Sequence, residues 1–584
     1  MNSAITPPAQ AGGVPLNRRP GPDRRPPDRR WGRFMVVPAI LGSLGLLVVY
    51  PVFFLITESL NLGDAGTFPP EQIGFANYLN MIDDAKVLWN TAFVAGISTL
   101  MAVGFGLLLS WILTRTAIPG RQLLERLMEL PYYMTPLVGA LAWGVLASPK
   151  TGLLNQVGHA LGAPGDILDI YSPWGIAWVM ALFEGTVAFV MISAAMKSMD
   201  PSLEESARVL GAGKFRVAIT ITLPMILPGI LSATVFVFAE MLSAFAAAFV
   251  LGIPARFVVV TTAIWQSTTA YPPEYGRAAA MGLCLFVLLA GALGLSRFIL
   301  RNGSYATITG KAFRPRPLRL GARAWPMVTV CWLYLTLSVF LPMGALLLTS
   351  FQKFATVIVG DMVFTLDNYA SVARVGTVAT ALTNSLFLGV IVATVGSLLV
   401  GVLVWVIFRS RAPGRALVEY VVMFPQAVPR LVFGLGLLWA WLIIPIPIYN
   451  TLWLLGLAYL TVLLPIGVRT LAGVVLQIDK SLEECARVCG ANWVHQMRTV
   501  TLPLMRPGIV AAWLLIFISA VRELGASIFL MGPHTKVIGP AIVDAWITAS
   551  TELSAAMALV QTAAVFIAVI FLFRVTRRYS GEPA

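Results

Sequence analysis

The sequence predicts an all-α integral membrane protein of about 12 transmembrane helices. They form two homologous six-helix halves in a parallel pseudo-two-fold repeat. Three observations predict this. Hydrophobic residues make up 58% of the 584 residues and charged residues 12%, with a mean hydropathy of +0.81; soluble domains carry about twice that charge. Basic residues gather at the ends of apolar runs, in alternate loops. A polar stretch at 204–230 recurs at 483–509 with a constant offset of 279 and no gap.

Each element follows from length and apolarity. A span needs about 20 apolar residues at 1.5 Å rise. In the first half such runs lie near 34–57, 89–113, 132–148, 173–195, 228–251 and 278–300. In the second they lie near 325–350, 383–408, 428–445, 449–474, 506–531 and 555–575. The runs at 132–148 and 428–445 are the shortest and carry prolines, Pro136 and Pro429, which suggest broken helices. Residues 1–33 hold seven arginines from Arg18 to Arg33 among many prolines. They read as a disordered basic tail and not as a cleavable leader, because the next apolar run is long enough to span. The division is thus 1–33 tail, 34–300 first half, 301–324 basic linker, 325–578 second half and 579–584 tail.

Loop charge sets the orientation. The stretches Arg115 to Arg126, Lys197 to Arg216, Arg297 to Arg323, Arg409 to Arg415 and Lys480 to Arg506 are basic. The alternate loops hold Glu71, Asp166, Asp169, Asp367, Asp544 and Glu552. The basic set, both termini and both copies of the repeated stretch are therefore expected in the cytoplasm. This distribution also explains the net charge of +14 without nucleic acid. Four cysteines suggest no disulfide framework. Cys485 and Cys489 read as small buried helix residues, since His495 alone cannot complete a metal site. No metal site and no catalytic constellation stands out.

The halves repeat beyond the loops. Asn90 aligns with Asn384, Pro119-Gly120 with Pro413-Gly414, and Pro131 with Pro425, all at 294. Asn77-Tyr78 aligns with Asn368-Tyr369 at 291. In the loops, Asp200 to Glu205 and Asp479 to Glu484 pair a short polar residue with first-turn carboxylates, a helix-start signature. Pro201 suits a first-turn position. Gly211 and Gly490 mark a sharp turn. A second short helix is expected to end before Leu223-Pro224 and Leu502-Pro503.

Each copy reads Glu, two small residues, three residues, Gly, nine residues, then a β-branched residue, Thr, Leu and Pro. They are Glu205-Ser206-Ala207 to Gly211 to Ile221-Thr222-Leu223-Pro224, and Glu484-Cys485-Ala486 to Gly490 to Val500-Thr501-Leu502-Pro503. This resembles the EAA motif of MetI-like permease subunits of binding-protein-dependent ABC importers. Ser206, Cys485 and Val500 are mild departures. The resemblance covers roughly 85–300 and 380–578. It implies coupling helices that dock on a cytoplasmic ABC ATPase dimer through Glu205, Ala207, Gly211, Pro224, Glu484, Ala486, Gly490 and Pro503. It also implies a periplasmic substrate-binding protein as partner and an inner-membrane location. No G-x-x-x-x-G-K-[ST] phosphate loop occurs. ATP and Mg are therefore expected on the ATPase, with no cofactor in this chain.

Polar residues within spans are candidate path residues by default. Glu184, Glu240, Arg522 and Glu523 lie deepest. A translocation path and internal ion pairs both explain them, and Arg430 fits snorkelling as well as function. Two permease domains fused in one chain resemble ferric-iron importers first and thiamine importers next. Polyamine, phosphonate, sulfate and molybdate importers are related through separate subunits. An ion-coupled secondary transporter of twelve spans is the alternative class, and it does not require the two loops.

Overall fold

The structure is a computed structural model that describes residues 30–301 and 318–580, apart from 65–67, 82–84, 201, 320, 357–361, 375, 411, 444–445 and 549–550. The expected basic tail (residues 1–29 of it), most of the 301–324 linker, Pro201 and the last four residues lie outside the described residues.

Ten helices are long and apolar enough to cross a membrane, and two bent pairs bring the number to 12. The bent pairs are Arg121–Tyr133 with Pro136–Ala147, at 93°, and Arg415–Ala427 with Arg430–Ile443, at 109°. These are the two short, proline-bearing runs of the sequence. Each opens on an aligned Pro-Gly step whose glycine has positive φ, +70° at Gly120 and +85° at Gly414.

Each half has a core of three helices that pack on one another. In the first half these are Ala85–Arg115, Pro173–Ser198 and Leu223–Ser243; in the second they are Gly376–Val404, Leu452–Val475 and Leu502–Val521. Small residues let the backbones approach. A Cβ built on Gly106 would lie 2.6 Å from that of Ala188. The first span of each half crosses to the other half. Tyr50–Leu60 packs on Arg430–Ile443, and Leu341–Ser350 packs on Pro136–Ala147 and the final helix.

Side-chain hydrogen bonds repeat with the sequence. Asn77 Nδ2 donates to the carbonyls of Ser59 and Asn61, and Asn368 Nδ2 to those of Ser350 and Gln352. The neighbouring Tyr78 and Tyr369 hydroxyls each lie 2.7 Å from a serine, Ser59 and Ser350. Asn90 donates to the Val258 carbonyl at 3.0 Å and Asn384 to that of Lys536 at 2.9 Å. Each tethers the chain just before a short re-entering helix, Val260–Thr269 or Ile538–Ile547.

Four prolines follow a turn of π-helix by two residues: Pro51 after Gly45–Val49, Pro224 after Ala218–Thr222, Pro342 after Thr336–Phe340, and Pro503 after Met497–Thr501. The wider i→i+5 turn accommodates a residue that lacks an N–H and would crowd an α-helical carbonyl. This changes one expectation. The second loop helix does not end before Leu-Pro; it continues through the π turn into the span, as Phe215–Ser243 and Trp493–Val521.

Candidate functional site

Two regions concentrate charge. The first is the repeated loop. In one copy the helix Ser202–Val209 starts where Asp200 accepts the Ser202 N–H at 2.9 Å; in the other, Lys480–Val488 starts where Asp479 accepts the Ser481 N–H at 2.9 Å. Both helices end in the same hydrogen-bond pair. Gly211 N–H reaches the Arg208 carbonyl and Ala212 N–H the Ala207 carbonyl; Gly490 and Ala491 do the same with Arg487 and Ala486, all at 3.0 Å. This is the Schellman stop, and it needs a left-handed residue. Gly211 and Gly490 supply it at φ +86° and +85°. The motif residues Ala207 and Ala486 thus serve the turn through their carbonyls.

The carboxylates divide the work. Glu205 and Glu484 are exposed, while the preceding Glu204 and Glu483 are buried at 4% and 6% exposure. Glu204 Oε1 accepts the Thr222 hydroxyl at 2.7 Å and lies 3.4 Å from Arg115 Nε; its Oε2 accepts from Arg208 at 3.2 Å. Glu483 Oε1 accepts the Thr501 hydroxyl at 3.3 Å and lies 3.8 Å from Arg409 Nη1. Arg115 also donates to the Met196 carbonyl at 3.1 Å, and Arg409 to that of Val475 at 2.7 Å. Burying a charge is tolerable only when it is paired, and both copies meet that condition in the same way. In the sequence Glu204 and Glu483 read only as first-turn carboxylates, and Arg115 and Arg409 only as members of basic loops. The signal for them was the register itself: Glu204 and Glu483 recur at 279, and Arg115 and Arg409 at 294.

Beyond the turn the loops present apolar side chains to solvent. Val209 and Leu210 are 86% and 88% exposed, and Val488 is 88% exposed. Phe215 and its counterpart Val494, with Trp493, are exposed as well. Cys485 and Cys489 are exposed, contrary to the expectation of burial. At about 100° per residue they fall on the face of the helix away from Glu483.

The second region lies between the halves. Glu523, just past the Leu502–Val521 helix, has its side chain 1% exposed. It accepts Arg430 Nη1 at 3.3 Å through Oε2 and the Ala526 N–H at 3.2 Å through Oε1. Arg430, at the bend of the second bent pair, also lies 3.9 Å from Glu240 Oε2 in the first half. Arg522 donates to the Tyr132 carbonyl, and its guanidinium stands 5.3 Å from the Tyr132 ring centre, a cation–π contact across the halves. Glu184 lies in electrostatic range of Glu240, Arg522 and Arg430. Counting 1.5 Å per residue, Glu240 stands about 24 Å along the helix from Pro224, toward the end of the span away from the loops. The structure therefore brings Glu184, Glu240, Arg522 and Glu523 together and adds Arg430 and Tyr132. Arg430 is partly exposed, at 43%, while it pairs with the buried Glu523.

On the face away from the loops, a cavity of about 440 Å³ opens between the halves, with Ser148, Gln156, Tyr171, Thr349, Gln352 and Trp546 among its lining residues. Among the described residues no group of three or more His, Cys, Asp or Glu side chains could hold a metal ion.

Two pinned loops on one face of a duplicated helical membrane unit define a permease of the ABC-importer type. Comparison with known proteins agrees. The family model for the binding-protein-dependent transport system inner membrane component matches residues 102–302 and again 385–581. The chain belongs to that family and carries its domain twice; it is a multi-pass inner-membrane transport subunit. A probable ABC transporter permease protein, y4fN, of Sinorhizobium fredii is 27% identical over 489 residues, covering 81% of this chain and 84% of its own. The ferric transport system permease protein FbpB of Actinobacillus pleuropneumoniae is 25% identical over 513 residues, covering 85% and 72%. The molybdenum transport system permease protein ModB of Escherichia coli is 31% identical over 204 residues, covering 35% of this chain and 86% of its own. Among solved structures, a bacterial ABC transporter for alginate import aligns with a TM-score of 0.41 at 22% identity, covering 47% of this chain and 97% of its own. Membership of the family removes the ion-coupled alternative.

Proposed function

We propose that this chain is a membrane-spanning permease of a ferric-iron importer, driven by a separate cytoplasmic ATPase dimer that holds ATP and Mg. The single observation that carries the coupling is the pair of exposed apolar loop tips, Val209-Leu210 and Val488, each on a helix whose base is pinned by a buried carboxylate. Exposed apolar side chains of this size on a rigid turn suit a partner's groove. Glu205 and Glu484 stand beside them as charges for a basic rim, with Ala207, Gly211, Ala486 and Gly490 forming the turn. Pro224 and Pro503 start the spans that carry the motion onward. The basic loops support a cytoplasmic position for this face and for both termini.

Closing of the ATPase dimer would draw the loops together and rock one half against the other. The cavity on the opposite face would receive substrate from a periplasmic binding protein. Glu184, Glu240, Arg522 and Glu523, with Arg430, would line the narrow part of the path. Ferric iron is supported by the ferric-permease relatives, whose similarity extends over most of a fused chain. The metal would be delivered and released by the binding protein, so no strong metal ligand set is required here.

The test is uptake into vesicles that contain the chain, its ATPase and its binding protein. ATP-dependent entry of radiolabelled ferric iron is expected. Uptake that persists on a proton gradient after ATP is removed would overturn the coupling, and ATP-driven entry of molybdate in place of iron would change the cargo.

A further inference from the structure

In each half, one buried carboxylate joins four elements. Glu204 sits on the loop helix, Arg115 at the end of Ala85–Arg115, Met196 near the end of Pro173–Ser198, and Thr222 at the entry to Leu223–Ser243. Glu204 binds Arg115 and Thr222, and Arg115 binds the Met196 carbonyl. The second half repeats the node with Glu483, Arg409, Thr501 and the Val475 carbonyl. An amphipathic loop that only rested on the spans would need apolar contact and no buried ion pair.

We propose that Glu204 and Glu483 are positioning residues that make each loop helix and the ends of three spans one rigid body, so that a push on the loop reaches the halves without slack. The neighbouring Glu205 and Glu484 face outward and belong to the docking surface. Two adjacent carboxylates thus have separate tasks: one receives the partner and the other transmits its motion. This rests on the reading of the loops as ATPase docking sites. It adds that the force passes through the carboxylate–arginine–threonine node and not through the turn alone.

The geometry has a further consequence. Arg115 Nε and Arg409 Nη1 are buried, make no hydrogen bond, and are held near the carboxylate by charge alone. Neutralising the carboxylate therefore loosens the node and strands an arginine. Removing only the threonine hydroxyl leaves the ion pair and loosens the link to the next span.

The experiment uses the full complex with its ATPase, in a chain whose exposed Cys485 and Cys489 are replaced by serine. Spin labels sit at Leu161→Cys and Tyr449→Cys, both exposed residues on loops far from the node. The readout is the nucleotide-driven change in distance between the labels, which needs no cargo. In Glu204→Gln/Glu483→Gln the ATPase subunit is expected to stay bound and hydrolyse ATP. The nucleotide-driven population shift is expected to fall about tenfold. Thr222→Val/Thr501→Val is expected to lower it about threefold, as loss of one hydrogen bond would. This second pair decides the matter if the glutamine chain does not accumulate. An unchanged shift overturns the proposal, as does loss of the ATPase subunit from the glutamine chain, which would make these carboxylates part of the docking surface. The docking reading fails separately if Glu205→Lys/Glu484→Lys retains the subunit.

Discussion

The repeated loops and the charged cluster between the halves follow opposite rules. At the loops each feature occurs twice with similar geometry: the capping aspartate, the Schellman turn, the buried glutamate with its arginine and threonine, and the exposed valine. At the cluster nothing is repeated. Arg430 aligns with Pro136, Glu523 with Ala244, Arg522 with Ser243, and Glu240 with Ser519. On the proposed reading, duplication is preserved where an ATPase dimer would dock and lost where an asymmetric passage would be lined. On this view the drive is symmetric and the path is not.

The largest effect comes from attacking the symmetric region. Val209→Asp with Val488→Asp places charges on both exposed loop tips. ATPase retention is expected to fall more than a hundredfold, measured by pull-down from detergent. Each single change removes one apolar anchor worth about 2 kcal/mol, or roughly thirtyfold in affinity. Equal single effects would sharpen the symmetry, and a strong inequality would break it.

The next effect probes the asymmetric region. Glu523→Ala removes the nearer carboxylate of Arg430 and leaves the 3.9 Å contact to Glu240. The Arg430 side chain is 43% exposed, so solvent screens part of the loss, and a moderate drop in thermal midpoint is expected. Ser519→Ala, at the position aligned with Glu240, should change the midpoint far less. A similar loss at both would mean that the cluster does not depend on its ion pairs.

These contrasts also show what the sequence could reveal. Spans, halves and loops were legible, because bilayer thickness sets run length and a duplication can be read by offset alone. The Asn77, Asn90, Asn368 and Asn384 tethers were visible as aligned residues, though not their carbonyl partners. The division of labour between Glu204 and Glu205 was hidden. Adjacent residues on a helix point about 100° apart, and which one faces the spans depends on where Arg115 lies. The continuous helix through Leu223-Pro224 was missed because a π turn has no composition of its own. Arg430 looked peripheral since its partner Glu523 is 93 residues away.

A smaller effect tests the symmetry of the scaffold. Asn90→Ala and Asn384→Ala each remove a tether to a backbone carbonyl. Each should cost about 1–2 kcal/mol, with the two midpoints falling together. A difference beyond that range would show that one re-entering helix depends on its asparagine more than the other.

The smallest effect concerns one cap. Hydrogen bonds from Ser481, first its backbone N–H and then its hydroxyl, hold the Asp479 carboxyl below the ordinary aspartate range, with a further contribution from Arg409. A carboxyl lowered in the folded state contributes stability that is fully present above its unfolded value of about 3.9. That contribution is lost as pH falls through the lowered folded value. The Lys480–Val488 helix should therefore keep its first-turn protection at mildly acid pH and lose it only below about pH 4. Hydrogen exchange at the amides of residues 481–484 reads this directly. Asp479→Asn keeps an acceptor for the Ser481 N–H but cannot titrate, so its protection should be flat across the same window. If the asparagine chain instead frays in parallel with the aspartate chain, the acid response belongs to another group. Because Arg409 also holds Glu483, that group would be sought first in the buried node directly behind the cap.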